Sequence, residues 1–202
     1  MSDIKNKKNG RLEVICGSMY SGKSEELIHR LRRAERAQEK VIAFKSILDN
    51  RHGLKNIVSH NDTAYQVYAI DSLDTVLPLV AQAEATVVGI DEVQFFTSHI
   101  LNVICSLIAQ GIRVIVAGLD LDFRGIPFGQ MPVLLAIADD IVKLHAVCNI
   151  CGADAHFTQR LVNGKPAHYD DPIIMVGSHQ IYQARCRDCY VIDKQTDWTC
   201  YE

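Results

Sequence analysis

Eight residues, Gly17-Ser18-Met19-Tyr20-Ser21-Gly22-Lys23-Ser24, stand between the apolar run Leu12-Glu13-Val14-Ile15-Cys16 and an amphipathic stretch from Glu25 to Lys40. They limit the chain to one kind of beginning, a strand that turns through a phosphate-binding loop into a helix. Gly17 and Gly22 let the backbone curl so that several N–H groups face one point. Lys23 can neutralise β- and γ-phosphate charge, and the Ser24 hydroxyl can reach a magnesium ion. A Gly-Ser turn following a strand would show the glycines but not this pair of flanks. Leu27, Ile28, Leu31 and Ala34 recur at helical spacing behind the loop. The ligand implied is a nucleoside triphosphate.

The chain of 202 residues, 48% apolar, is long enough for one α/β core and a small appendage. A formal net charge of −3 without a long basic run argues against a dedicated nucleic-acid surface and for a small-molecule substrate. No apolar stretch approaches the length of a membrane span, and Met1 to Asn9 is polar, so a cytoplasmic protein is expected. Seven cysteines in a reducing compartment are not expected to form disulfides. Cys16 and Cys105 lie in apolar segments and read as small core residues, and Cys200 carries no further reading.

Strand-like runs at Val41 to Phe44, Tyr65 to Ile70, Thr86 to Ile90 and Arg113 to Ala117 alternate with capped helical patterns from Ser72 to Ala83 and from Thr97 to Gln110. This alternation, continuing to Ala146, predicts a mostly parallel sheet with helices on both faces. Ligands on such sheets bind outside the carboxyl ends of the strands, where the loop, Asp91 and Asp120 all fall. The polar segment Lys45 to Ala64 is expected to be a lid or disordered, and mobile without ligand. At Cys148 the texture changes to Gly, Asp, His, Asn and short β-like runs. The expected division is a nucleotide-binding α/β domain over 1–146, a small lobe over 147–192 and a short tail over 193–202.

Asp91 and Glu92 emerge together at the tip of a buried strand. Asp91 is the expected magnesium partner, directly or through water. Glu92, one residue further, can take a proton from an attacking group, whether water in an ATPase or a substrate hydroxyl in a kinase. Cys148-x-x-Cys151 and Cys186-x-x-Cys189 offer four thiolates for a tetrahedral zinc with no open position, hence a structural metal; redox-active pairs are the competing account. The long interval between the pairs makes the metal a clamp at the base of a sizeable loop. That loop holds a turn at Asn163-Gly164-Lys165-Pro166 and the apolar, extended run Ile173-Ile174-Met175-Val176-Gly177. The run either packs on the main domain or lies over a flat ligand. Phe95, Phe96, Phe123 and Phe128, beside the acidic strand ends, are either core residues or a stacking surface for a base.

The loop with Met19 inside it, Asp91-Glu92-Val93-Gln94-Phe95-Phe96, the run Gly118-Leu119-Asp120-Leu121-Asp122-Phe123-Arg124-Gly125-Ile126-Pro127-Phe128-Gly129 and the paired cysteines together resemble the cytosolic, zinc-containing type II thymidine kinases over nearly the whole chain. The resemblance implies a P-loop NTPase (RecA-like) α/β fold with a small zinc-bound β lobe carrying a lasso-like loop. It implies transfer of the γ-phosphoryl group of ATP to the 5′-hydroxyl of thymidine. Deoxyuridine would be a weaker substrate, the assembly a homotetramer and the triphosphate product dTTP a feedback inhibitor. Matched residue by residue, Glu92 takes the place of the proton acceptor, and Lys23, with Ser24 and Asp91, that of the phosphate and magnesium contacts. Gly17 to Ser24 and Asp91, Glu92, Val93 and Gln94 surround the nucleotide. Arg51 matches an arginine near the phosphates. Met19, Phe95, Leu119, Phe123, Phe128 and Tyr182 match positions lining the thymidine pocket, and Ile173 to Gly177 the stretch that covers the base. The sequence departs from the family pattern at Ser178-His179-Gln180-Ile181, and a chain ending soon after Trp198 fits the bacterial type.

The main rival is a P-loop ATPase whose zinc lobe grips single-stranded nucleic acid or a protein partner. A nucleic-acid lobe should be basic, whereas Asp154, Asp170, Asp171 and Asp188 here offset Arg160, Lys165, Arg185 and Arg187. A nucleotide-sensing zinc module without catalysis would leave Glu92 unused.

Overall fold

The computed structural model describes residues 10–48, 56–58, 64–174 and 180–193. In chain order its elements begin with β1 (Arg11–Gly17), α1 (Lys23–Arg36), β2 (Val41–Ser46), β3 (Asn56–Val58), β4 (Ala64–Gln66) and β5 (Tyr68–Ile70). A short 3-10 turn, Leu73–Thr75, leads into α2 (Val76–Gln82), followed by β6 (Val87–Asp91), a second 3-10 turn at Val93–Phe95, α3 (His99–Ala109), β7 (Arg113–Gly118), α4 (Met131–Ile137) and β8 (Asp140–Leu144). The cysteine-bearing part contributes β9 (Ala146–Val147), β10 (Asp154–Ala155), β11 (Phe157–Val162), β12 (Lys165–Pro166) and β13 (Gln180–Arg185).

The central sheet has the order β5-β2-β6-β7-β1-β8, and all its pairings are parallel. Its inner strands β2, β6, β7 and β1 are largely apolar and buried because both faces are covered there, whereas the edge strand β8 is largely exposed. On one face Ile15, Ala43, Val87, Ile115 and Ala117 pack against Leu27, Ile28, Leu31 and Ala34 of α1. On the other, Leu12, Val14, Ile42, Phe44, Val88, Ile90, Val114 and Val116 pack against residues of α2, α3 and α4. Adjacent residues of one strand thus serve opposite layers, as the pleat requires. The three-layer α/β fold expected from the alternation is the fold observed.

Several boundaries differ from the sequence reading. The Tyr65 to Ile70 run is two strands, not one: β4 turns back on β3 as an antiparallel ribbon and β5 joins the central sheet, with Val67 buried at the break. The first helix starts two residues earlier than expected and ends at Arg36. Ser72 caps its turn by accepting from the Asp74 amide, but at α3 the Ser98 side chain makes no capping bond. Cys16 is buried as expected, whereas Cys105 is exposed on α3, because the buried stripe of that helix is Ile100, Val103, Ile104 and Leu107. Most of the Lys45 to Ala64 stretch, Arg51 included, lies outside the described residues, as does Cys200; what is described of the stretch is the end of β2, a turn and β3.

At the amino end of β1, Glu13 is a buried carboxylate in an apolar strand. Arg113 holds it in a two-pronged grip, Nε to Oε1 at 2.6 Å and Nη2 to Oε2 at 3.0 Å, and Arg30 of α1 donates to Oε2 at 2.8 Å. Burial pushes the Glu13 carboxyl up, but the Arg113 and Arg30 guanidiniums outweigh it and hold it below the usual carboxylate range. A depressed carboxyl stabilises the fold above its unfolded pKa, and that stability is lost as the pH falls through the folded one. Glu13→Gln is expected to cost about 2–3 kcal/mol at neutral pH, since it leaves two largely covered guanidiniums short of a counter-charge. Thermal melting checks this, and the difference from wild type should close as the pH drops below the ordinary carboxylate range.

Candidate functional site

The loop between β1 and α1 closes on itself. The Ser18 carbonyl accepts the Ser21 hydroxyl at 2.9 Å and the Lys23 ammonium at 2.6 Å. Gly22, in the left-handed region with φ 86°, turns the chain into the first residue of α1. The amide end of α1 and the Lys23 charge therefore address the same point, the arrangement that holds a polyphosphate.

Parallel register brings the end of β6 beside that point. The Ser24 hydroxyl donates to Asp91 Oδ2 at 3.0 Å, and the Glu92 amide donates to Asp91 Oδ1 at 3.0 Å. Two hard oxygen donors from separate elements, one a buried carboxylate, suit a magnesium ion. The Asp91 carboxyl is pushed up to about 7. Burial is the main cause and the neighbouring Glu92 charge the second, with Ser24, the Glu92 amide and Lys23 pulling the other way. Burying two adjacent acids is unfavourable until a cation arrives. Opposite Asp91 in the β2 register sits Lys45, fully buried at the end of that strand and not in the polar segment expected to begin there.

Glu92 itself is buried and held at φ 51°, ψ 42°, a left-handed conformation that costs a non-glycine residue about 1–2 kcal/mol. That turn swings its carboxylate off the strand direction. The Gln94 side-chain amide donates to Glu92 Oε2, while Gln94 Oε1 accepts the Leu119 amide at 3.1 Å. Gln94 is thus a clip between the tips of β6 and β7. Glycine is required on two sides of it: a Cβ at Gly118 would fall 2.6 Å from Gln94 Oε1, and one at Gly129, itself at φ 53°, 2.4 Å from the Gln94 carbonyl oxygen.

The aromatic candidates divide between the two open readings. Phe96 is buried core, while Phe95 is half-buried and meets Phe128 edge-on at 5.7 Å. Phe123 is buried in the tight loop that Asp122 organises by accepting the Arg124 and Ile126 amides. Leu119 and Tyr182 are half-buried. Asp120, at the tip of β7, lies 2.7 Å from Lys143 of β8. Ile173 and Ile174 are exposed and lie in bends, not in an extended strand, so the expected strand is corrected there; Met175, Val176 and Gly177 lie outside the described residues. The Asn163-Gly164 turn is present, with φ 51° and 78°, joining β11 to β12.

Hydrogen bonds that no local sequence pattern marks join the phosphate loop to β10 and β11 of the cysteine-bearing part. The Met19 amide donates to Thr158 Oγ1 at 3.0 Å, and the Ser18 hydroxyl donates to the Ala155 carbonyl at 3.4 Å. Thr158 in isolation is one polar residue of an alternating strand, and nothing local marks its partner 139 positions away.

The thiols of Cys148, Cys151, Cys186 and Cys189 lie within 4.8 Å of one another, with Cys151 and Cys186 3.5 Å apart. Tetrahedral zinc with Zn–S bonds near 2.3 Å places its sulfurs about 3.8 Å apart, so the four fit that ion. Burial pushes the Cys148 thiol up, but the backbone amides of Cys186, Cys151 and Ile150 bring it down to about 6. Sharing with Cys186 and Cys151 sends the Cys189 thiol up to about 12. Thiolates held this close repel one another, and a dication between them offsets that repulsion. Convergence of both pairs on one point favours metal over two redox couples.

Residues 10–190 match the family model described as thymidine kinase. The chain belongs to the thymidine kinase family. This makes it an ATP-dependent phosphotransferase acting on thymidine and sets aside the ATPase and sensor readings. Among the described residues no helix is long and apolar enough to cross a membrane.

Two outcomes test the kinase's charge design. Because the Asp91 carboxyl is raised, the ligand-free fold keeps a proton that the unfolded chain releases, so stability falls as the pH climbs from the ordinary Asp range through about 7. Asp91→Asn should therefore melt higher than wild type without ligand near pH 8, the gain shrinking towards about pH 4, while turnover is largely lost. For the cysteines, elemental analysis should find one zinc per chain in wild type. Cys151→Ser should bind less and melt at lower temperature.

Proposed function

We propose that Glu92 accepts the proton of the thymidine 5′-hydroxyl as the γ-phosphoryl group of ATP passes to that oxygen. The O–H bond breaks towards the Glu92 carboxylate, the new O–P bond forms, and the bond to the β-phosphate oxygen breaks to leave ADP and dTMP. The observation that carries this is the pairing at the tip of β6, with Asp91 3.0 Å from Ser24 of the phosphate loop and Glu92 next in sequence, turned aside and clipped by Gln94. The base is thereby separated from the residue that addresses the phosphates, yet tethered to it.

Residues Gly17 to Ser24 cradle the triphosphate. Lys23 leaves the Ser18 carbonyl to bind phosphate oxygens, and Arg51 adds charge there. Ser24 and Asp91 hold magnesium, whose bound charge would neutralise the β- and γ-phosphates. Val93 and Gln94 complete this side. Met19, Phe95, Leu119, Phe123, Phe128 and Tyr182 enclose the nucleoside, and Ile173 to Gly177 cover the base. The exposure of Ile173 and Ile174 supports the covering role over the packing one. Cys148, Cys151, Cys186 and Cys189 hold a structural zinc for a lobe spanning 147–192, set against the 1–146 domain and followed by a 193–202 tail.

Enclosure of a methyl group discriminates by about 1–3 kcal/mol, so deoxyuridine is a weaker substrate. The assembly is a homotetramer in the cytoplasm, with dTTP as feedback inhibitor.

The test is Glu92→Gln. With thymidine, ATP and Mg²⁺, the wild-type protein should form dTMP in step with ADP. The variant should bind both substrates as before and lose on the order of 10²–10⁴-fold in kcat. A variant that turns over at the wild-type rate removes Glu92 from the mechanism.

A further inference from the structure

Phe123 is gripped at two points by the cysteine-bearing part of the chain. Its ring lies beneath the Arg160 guanidinium, with the Arg160 Cζ 3.5 Å from the ring centroid. Its carbonyl accepts the Tyr190 hydroxyl at 2.6 Å.

Arg160, on β11, is fully buried, the largest side chain so enclosed among the described residues. A guanidinium removed from water is costly, and an apolar residue of similar volume often serves stability as well or better. What Arg160 does that an apolar residue would not is bond. Its Nη1 donates to the Pro172 carbonyl at 2.6 Å and contacts the Ile173 carbonyl at 3.4 Å, and its Nη2 lies 3.7 Å from the Asp171 carboxylate. One side chain therefore pins together β11, the start of the 172–174 stretch and the Phe123 ring. On the reading proposed above, both of these last two border the nucleoside site.

Tyr190 follows Cys189 directly. Its ring stacks on Phe157 of β11 at 4.5 Å, nearly parallel, and the next residue, Val191, donates its amide to the Gln159 side chain at 2.9 Å. The segment leaving the four-cysteine cluster is thus strapped to β11, and a single hydroxyl crosses from it to Phe123.

We propose that Arg160 and Tyr190 are positioning residues for thymidine: they fix the ring and the backbone of Phe123, and with them the nucleoside pocket, while the phosphate subsite is held by other contacts. The proposal rests on the reading that Phe123 lines that pocket, so a direct change at Phe123 belongs in the same experiment.

The zinc-loaded full-length enzyme would be compared with Tyr190→Phe, Arg160→Lys, the double variant and Phe123→Leu. The measurements are thymidine Kd by calorimetry, KM for each substrate, kcat and zinc per chain. Tyr190→Phe keeps the stacked ring and removes one hydrogen bond; Arg160→Lys keeps the charge and removes the flat face and the fork. Each single variant is expected to weaken thymidine binding about three- to tenfold, with ATP KM and zinc content unchanged. The double variant should lose less than the product of the two, because both act through Phe123. An unchanged thymidine Kd in Tyr190→Phe and Arg160→Lys, with a weaker one in Phe123→Leu, overturns the positioning role and spares the pocket. So does a rise in ATP KM equal to that for thymidine, or a double variant whose losses simply multiply. An unchanged Kd in Phe123→Leu overturns the pocket reading as well. If Arg160→Lys fails to melt cooperatively, the Tyr190→Phe result decides alone.

Discussion

The common register of β1, β7 and β6 is the constraint on which the site rests. Val14 pairs with Val116, which pairs with Ile90, so the three strands end at the same edge of the sheet. Their last residues deliver the phosphate loop, the Asp91–Glu92 pair and the Leu119 amide to one place. Parallel pairing requires a crossover between strands, and the crossovers bury both faces of the sheet under helices. The apolar contacts of α1 on one face and of α2 to α4 on the other are what keep the strand ends in line. A slip of one residue in β6 would turn Ile90 out of its core layer, so the position of Asp91 is secured by hydrophobic packing well away from it.

Against that rigid edge the site keeps an uncomfortable local state. Asp91 and Glu92 are both buried, adjacent acids, one raised towards neutrality and the other held in a left-handed backbone conformation. Gln94 spans the two strand tips and limits where the Glu92 carboxylate can point. Lys23 rests on a loop carbonyl, and the four cysteine sulfurs crowd within 4.8 Å of one another. On the reading proposed above, phosphate would answer the Lys23 charge, magnesium the Asp91 carboxylate and zinc the four thiols. Strain of this kind is sustained only where the surrounding structure fixes it.

The cysteine-bearing strands are joined to the phosphate loop through Met19 and Thr158 and to the Phe123 loop through Tyr190 and Arg160. They consequently touch the phosphate loop and the Phe123 loop by different contacts. Much of this could be read from the residues themselves. The phosphate loop, the acidic pair and the paired cysteines are short, local patterns whose chemistry needs those residue types at those spacings. The strand split at Val67 could not, because the run Tyr65 to Ile70 has strand character throughout and only the competing partners, β3 and β2, divide it. Cys105 is exposed for a related reason: an apolar neighbourhood in sequence does not tell which side of a helix faces the sheet.

Sequence alone determined the alternation of strands and helices and the residue types that mark a phosphate loop and a metal cluster, since backbone propensity, apolar periodicity and ligand spacing all act over a few residues. Only the tertiary structure decided which distant groups meet: Ser24 with Asp91, Gln94 with Leu119, Thr158 with the Met19 amide, and Arg160 with the Phe123 ring. Those meetings depend on strand order and on the packing of whole layers. Both are properties of the entire chain's buried surface, and neither is written at any single position.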